Sequence, residues 1–426
     1  MFYTFALHLY AFSIELASFF MRKARMTRLG QWRTNGILRE QIDRNAKYIW
    51  FHAASLGEFE QGRPVMETLR KRYPHYKILL TFFSPSGYEV RKNYDGADVI
   101  CYLPFDTPYK VRKFLTLANP VMAVFIKYEF WLNYLLELKR RNIPTYLISA
   151  IFRREQFFFK RYGKWYRQVL FCYDRLFVQD KASARLLAEY GITRVSICGD
   201  TRFDRVLAVQ RQARLLPVVG EFVGNGNQSM LVAGSTWPQD EEILLAYFNA
   251  HPEVKLIIAP HEIHREHLID IESKLKRPSI RLSETNDQSV TDKDCLIIDS
   301  FGQLSSIYRC GRIAYIGGGF GKGIHNTLEA AVYGIPVIFG PNYRKFREAK
   351  ELIAAGGGFS VTDEAGFAFR MNDLVTHPES CLQAGRIAGD YVQKNSGVTD
   401  KILKEIPWEN EMSTVDRTQF NDSMIQ

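Results

Sequence analysis

Cysteine is scarce in this chain and never paired: the 426 residues hold six, at positions 101, 172, 198, 295, 310 and 381, with no CxxC and no metal spacing. A disulfide framework and a zinc ribbon are thereby excluded, and reduced, mostly buried cytosolic thiols are expected. A phosphate loop is missing too. The glycine run Gly317–Gly323 fits neither GxxxxGK[ST] nor GxGxxG, and Gly323 stands where the Walker hydroxyl belongs. His261, His264 and His267 look like a metal cluster, yet HEIH lacks the HExxH spacing that puts two histidines on one helical face, so no metal is expected there. A polar loop lining a nucleotide pocket is the better account. There is also no secretory signal: no positive charge precedes the apolar amino terminus, and no small-residue cleavage site follows it.

What is present describes a large α/β protein. With 46% hydrophobic and 24% charged residues the chain can build two ordinary cores, which excludes disorder for most of its length. A net charge of +10 implies an acidic partner, and nucleic acid, an anionic membrane surface and a phosphorylated substrate all qualify. The first twenty residues are apolar and aromatic, broken only by His8 and Glu15, and are followed by Arg22, Lys23, Arg25 and Arg28. Three readings stand: a span whose basic flank keeps the rest of the chain in the cytoplasm, a helix lying in the membrane interface, and a helix packed on its own domain. Arg153–Arg167 interleaves basic and aromatic residues. Such a stretch suits stacked bases, a membrane with its phosphates, or a solvated helix face; the apolar terminus favours the membrane.

Strands and helical runs alternate along the chain in two series. Tyr48–Phe51, Lys77–Phe83, Val99–Leu103, Val121–Ile126, Thr145–Ser149, Arg175–Gln179 and Val195–Cys198 form the first. Met230–Ala233, Lys255–Ala259, Cys295–Ile298 and Ile313–Ile316 form the second. This predicts parallel, doubly wound sheets. The stretch from Val206 to Ser229 loses the rhythm and carries Gly224-Asn225-Gly226-Asn227, which places a boundary there. The expected parts are an N-terminal helix over 1–21, a first domain over 22–206, a linker over 207–229, a second domain over 230–408 and a polar tail over 409–426.

Several loops at strand ends carry chemistry. HAASLGE follows the first strand and presents Glu58 near the start of a helix read as Phe59 to Arg72, with Pro64 tolerable only if the regular part begins near it. Glu58 either reacts or merely complements the helix dipole. Glu129 stands just past another strand end, and Arg202 past the last of the first series. In HNTLEAA, Asn326 suits a helix cap and Glu329 a capping box, with Gly334 as the stop; a capped start beside a glycine loop is equally an anion site.

In this order, these motifs resemble the Kdo transferases, which move 3-deoxy-D-manno-octulosonic acid (Kdo) from CMP-Kdo onto the lipid A precursor. The likeness covers roughly residues 1 to 400. HAASLGE resembles the family's SVGE segment, which makes Glu58 the catalytic base. KYEFWLN resembles ETELWP and GDTRFD resembles GSLKFD, which assign transition-state stabilisation to Glu129 and to Arg202, the latter replacing a lysine. HNTLEAA is similar to HNPLEAA and assigns CMP contacts to Asn326, Thr327, Leu328 and Glu329, with Thr327 in place of proline. Phe301, Gly302 and Gln303 stand where the family often has MGE, and His261-Glu262 where it has Arg-His.

The resemblance implies a GT-B fold of two Rossmann-like domains facing a cleft, acceptor on the first and CMP-sugar on the second, with an N-terminal membrane-associated helix. It implies an inverting, direct displacement in which Glu58 takes the acceptor's hydroxyl proton. Neither metal nor cofactor is implied, since CMP-Kdo is a substrate. The partners are then CMP-Kdo, a lipid A precursor and the cytoplasmic face of the cell inner membrane, with no nucleic acid. A GT-B transferase using a UDP-sugar and a non-catalytic, basic membrane-surface binding protein are the alternatives.

Overall fold

The structure, a computed structural model, describes residues 2–224, 229–285 and 289–408. The expected polar tail over 409–426 and the Asn225-Gly226-Asn227 turn lie outside these residues. The chain divides into two compact units, one formed by Met1–Arg205 with Gly397–Gln426, the other by Val206–Ser396.

In the first unit, β1 (Lys47–Ala53), β2 (Tyr76–Phe82), β3 (Val99–Tyr102), β4 (Met122–Ile126), β5 (Thr145–Ala150), β6 (Arg175–Val178) and β7 (Val195–Ile197) form one sheet. Its order is β3-β2-β1-β4-β5-β6-β7, and every pairing is parallel. The apolar run of β1 follows from this position, because helices cover both faces: Tyr48 and Trp50 enter one buried cluster, Ile49, Phe51 and Ala53 the other. The strand order reverses between β1 and β4. Carboxyl ends of adjacent strands part there, leaving the crevice in which doubly wound sheets hold ligands.

The helix after β1 runs from Leu56 to Arg72, starting before the expected Phe59 and continuing through Pro64 in its interior. Proline has no N–H to return to the carbonyl of Glu60, so the helix continues with that ladder bond missing. At the amino terminus, helices Phe2–Ala17 and Arg22–Gln41 meet at a bend of 118°. No single helix among the described residues is long and apolar enough to cross a membrane. The first helix is tied to its own unit. Tyr3 donates its hydroxyl to Asp106 Oδ2 at 2.7 Å, and Tyr10 packs edge-on against Phe105 at 5.9 Å. Its outer side is apolar, with Phe5, Leu9, Phe12 and Leu16 exposed, and Phe19, Phe20 and Met21 continue that surface into the bend.

In the second unit, β8 (Ser229–Thr236), β9 (Val254–Pro260), β10 (Ser279–Arg281), β11 (Cys295–Ile297), β12 (Ile313–Ile316), β13 (Val337–Phe339) and β14 (Gly358–Ser360) take the order β10-β11-β9-β8-β12-β13-β14. All pairings are again parallel. The order reverses between β8 and β12. The fold is therefore α/β with two doubly wound, Rossmann-like units, the GT-B class. β10, β13 and β14, each three residues long, went unread in the sequence.

Two boundaries need correction. Much of the expected linker over 207–229 is helical, in Arg202–Gln212 and Pro217–Val223, with Val219 and Phe222 buried. The chain's last described helix, Val398–Glu405, expected in the second domain, belongs to the first unit. Its Val398, Ile402 and Leu403, followed by Ile406 and Trp408, complete the cluster around Ile49, Val65 and Met66. Asp204 holds its start by accepting the N–H groups of Gly397 and Thr399, each at 2.6 Å. All six cysteines are free thiols, five of them buried.

Candidate active site

The switch point of the first sheet brings the loop after β1 beside the loop after β4. Glu58 lies in the first turn of its helix, where the Ser55 N–H and hydroxyl reach Oε2 at 3.1 and 3.4 Å. The capping role is thus physically present. It engages only one carboxylate oxygen. Burial and the charge of Glu129 push the Glu58 carboxyl above its ordinary range, against the opposing pull of His52, the Ser55 N–H and Lys127. A carboxyl shifted this way is the stronger base at neutral pH.

Glu129 is almost fully buried. Its Oε2 lies 3.0 Å from His52 Nε2 and accepts Trp131 Nε1–H at 2.6 Å, while its backbone carbonyl accepts the Tyr173 hydroxyl at 2.6 Å. Lys127, the first residue after β4, has φ of +70°, a left-handed kink uncommon for a side chain of this size. Arg202 reaches this unit's site by another route. It opens its helix with its guanidinium on Asp200, at 2.7 and 2.8 Å, and Gln61 on the Glu58 helix lies 3.4 Å from the same carboxylate. Glu58 and Glu129 thus share one site, with Arg202 tied to it through Asp200. His52, Trp131 and Asp200 were not singled out from sequence, although a lone histidine inside the apolar β1 was a signal.

In the second unit, three loops after strands converge. Trp237 follows β8 and stacks on His261, which follows β9, at 4.7 Å and 26°; His261 lies 4.5 Å from the ring of His325. Trp237 Nε1–H donates to His325 Nε2 at 3.3 Å. Burial first, then His261, pushes the His325 imidazole down to about 4, so it is neutral at physiological pH. Asn326 accepts the Leu328 N–H at 3.2 Å and donates to Glu329 Oε1 at 3.1 Å, and Ser305 donates to Glu329 Oε2 at 3.1 Å. Ser305 thereby links the stretch after Gln303 to the Asn326–Glu329 segment. Phe301 is exposed and Gly302 has φ of +87°. Glu262 is exposed, 3.4 Å from His264.

Three expectations change here. The helix after Thr327 is only Leu328–Ala331, too short for a useful dipole, so the expected anion site at a capped helix start loses that support. The N-cap is Thr327, which makes Glu329 the second helical residue and not the third that the expected capping box on Asn326 needs; Glu329 bonds the Asn326 side chain instead. The glycines serve close packing: a Cβ on Gly317 would lie 2.2 Å from the Ser235 carbonyl oxygen, and one on Gly319 2.5 Å from the Gly340 nitrogen. The three histidines of the HEIH region take separate tasks. His261 stacks, His264 caps the helix Arg265–Lys274, and His267 bonds the buried Glu241 at 2.8 Å. Among the described residues no group of three His, Cys, Asp or Glu is placed to hold a metal.

Residues 24–205 match the family model described as 3-deoxy-D-manno-octulosonic-acid transferase (kdotransferase). The 3-deoxy-D-manno-octulosonic acid transferase of Aquifex aeolicus is 28% identical over 357 residues, 81% of this chain and 92% of that one. The Haemophilus influenzae enzyme of the same name is 28% identical over 371 residues, 83% of this chain and 85% of that one. Over most of its length the chain is thus similar to the Kdo transferases, and it is a glycosyltransferase. Among solved structures, UDP-GlcNAc 2-epimerase from Neisseria meningitidis bound to UDP-GlcNAc aligns at a TM-score of 0.60 and 15% identity, covering 84% of this chain and 98% of that one. The Methanocaldococcus jannaschii UDP-GlcNAc 2-epimerase aligns at 0.53 and 15%, covering 82% and 99%. These likenesses concern the fold alone.

The transferase carries one internal misfit at its donor-side motif. Thr327, standing where the resemblance places a proline, is fully buried and its hydroxyl has no hydrogen-bond partner. Thr327→Val keeps the shape and removes the unsatisfied group, so it is expected to stabilise the second unit by about 1 kcal/mol. A thermal melt reads this as a rise of roughly 2–4 °C. A fall would show that the hydroxyl is satisfied.

Proposed function

We propose that this transferase moves Kdo from CMP-Kdo onto a hydroxyl of the lipid A precursor with inversion, the first unit holding the acceptor and the second the donor. The observation that carries this reading is the carboxylate pair at the β1/β4 switch point, with Glu58 made more basic by burial and by Glu129. Glu58 takes the acceptor's hydroxyl proton as that oxygen attacks the anomeric carbon, and the bond from that carbon to the CMP phosphate breaks. Glu129 and Arg202 act on the transition state: the carboxylate favours positive charge developing on the sugar, the guanidinium negative charge on the departing phosphate. His261, Glu262, Phe301, Gly302, Gln303, Asn326, Thr327, Leu328 and Glu329 form the donor side, where buried Thr327 and Leu328 shape the segment and the exposed residues meet CMP. The chemistry requires no metal or cofactor, because CMP departs from a single phosphate.

The proposal places the protein on the cytoplasmic face of the inner membrane, held by its N-terminal helix. Support comes from the exposed Phe5, Phe12, Leu16, Phe19 and Phe20, next to Arg22, Lys23 and Arg25. Phe19→Asp with Phe20→Asp is expected to lower binding to anionic vesicles about tenfold or more in a flotation assay, since each buried phenylalanine contributes roughly 1.5–3 kcal/mol. Unchanged flotation would remove this face from the membrane.

The functional test is CMP release by the purified protein in detergent, with CMP-Kdo generated in place, with and without a tetraacylated lipid A precursor. Release that requires the lipid, with Kdo-sized mass increments on it, is expected. No binding of CMP-Kdo, or turnover of a UDP-sugar instead, would overturn the donor assignment.

A further inference from the structure

His52 is fully buried at the end of β1, with Thr81 at its Nδ1 and Glu129 and Trp131 at its Nε2. Trp50 Nε1–H donates to Thr81 Oγ1 at 2.8 Å. With that lone pair occupied, the Thr81 hydroxyl hydrogen is free to point at His52 Nδ1, 2.8 Å away. The Thr81 carbonyl, 3.1 Å from the same nitrogen, receives it when Nδ1 carries a proton. In both arrangements Nε2–H donates to Glu129 Oε2 at 3.0 Å. In the remaining tautomer a bare Nε2 would face the carboxylate oxygen with only Trp131 Nε1–H, 3.2 Å away, as donor; that N–H lies closer to Oε2, at 2.6 Å, so the Nε2–H form satisfies both groups better. Oε2 therefore takes two donors, His52 from behind and Trp131 Nε1–H from the side.

We propose that His52 is the positioning residue of the carboxylate pair: by donating Nε2–H to Glu129 it fixes that side chain and lets Glu58 act as a base beside it. The inference rests on the reading of Glu58 as the base. Two neighbouring carboxylates tend to share one proton, because the doubly charged state is repulsive; a donor fixed on one of them stabilises that state. Glu58 faces Glu129, His52, Lys127 and Tyr128, and Glu129 faces Glu58, His52, Tyr166 and Tyr173. The direction of the Glu58 shift agrees, with Glu129 raising it and His52 opposing.

The consequence is a pH profile. Without His52, which opposes the rise, Glu58 holds its proton to higher pH, so the acid limb of kcat/KM moves upward and activity returns as the pH is raised. The experiment measures kcat/KM against pH for the full-length protein in detergent, with CMP-Kdo and the acceptor lipid, comparing wild type with His52→Phe, His52→Gln, Trp131→Phe and Glu58→Gln. His52→Phe is expected to move the acid limb up by about one pH unit, a tenfold change in proton affinity. His52→Gln, whose amide N–H can replace Nε2–H, is expected to move it most of the way back. Trp131→Phe, which removes the second donor, is expected to shift it in the same direction as His52→Phe.

An acid limb that stays in place while His52→Phe loses activity equally at every pH overturns the proposal, as does a Gln variant no closer to wild type than Phe. Should His52→Phe lose its cooperative melt, the half-buried Trp131 carries the same test. Glu58→Gln separates the two levels. Full turnover in that variant removes the base assignment itself, whereas its loss together with an unmoved acid limb removes only the role of His52.

Discussion

Glu58→Gln is expected to bind CMP-Kdo within about twofold of wild type and to transfer Kdo some 10²–10⁴ times more slowly, the range that general-base catalysis contributes. The substitution isolates chemistry from folding. Glutamine has the same shape and keeps a side-chain oxygen for the Ser55 N–H, which Glu58 now accepts at 3.1 Å, so the helix start is preserved. What disappears is the capacity to take a proton. The pH dependence adds a check with a definite sign. Because the Glu58 pKa is raised, wild-type activity should decline as pH falls through that raised value, at a higher pH than an ordinary glutamate gives. Measuring kcat at saturating donor and lipid separates the chemical step from binding. Retained turnover would falsify the assignment of Glu58 and return it to its capping role.

Asp240→Ala is expected to cause the largest loss of stability, and it acts on the donor unit. Asp240 is fully buried and accepts three hydrogen bonds, from the Tyr315 hydroxyl at 2.7 Å, the Gly318 N–H at 2.8 Å and the Trp237 N–H at 2.9 Å. One carboxylate thus fixes the glycine loop after β12 to the start of the Trp237–His261–His325 stack. Alanine leaves the buried Tyr315 and Gly318 donors and the half-buried Trp237 N–H without an acceptor, at roughly 1–3 kcal/mol for each buried one. The combined loss is about 3 kcal/mol or more, and the second unit's melting transition should fall by roughly 6–12 °C. Donor affinity should fall about tenfold or more, because the loop backbone loses its anchor. Asp240→Asn retains one acceptor oxygen and should lie between the two. If calorimetry finds the Asp240→Ala melt within about 2 °C of wild type, the loop is held by something else.

Much of this site was legible because it depends on short-range pattern. Small or polar residues soon follow several strands of the first series, such as Ala53-Ala54-Ser55 and Lys127, so Glu58 and Glu129 could be placed past strand ends from the alternation of apolar runs and turn residues alone. The HNTLEAA segment was recognisable for the same reason. Its capping box failed because the helix is capped one residue later, at Thr327, which takes Glu329 out of the N3 position. The glycine run was legible as a loop; its role as a packing joint was not, since Gly317 is required by the Ser235 carbonyl from a distant strand.

By itself the sequence determined the α/β class, two strand series, an apolar amino terminus with a basic flank, and a carboxylate after each of two buried strands. These are consequences of periodicity, composition and the chemistry of residues close along the chain. Tertiary structure alone decided the rest. Strand order, which no local pattern encodes, made β1 and β4 neighbours and so turned two separate carboxylates into an interacting pair. Packing decided that the last helix, although it follows the second series, completes the first core, because its apolar face had no partner that the sequence could name. It also turned His52, one polar residue in an apolar strand, into the donor behind Glu129, since a buried imidazole must find partners and only the fold specifies which.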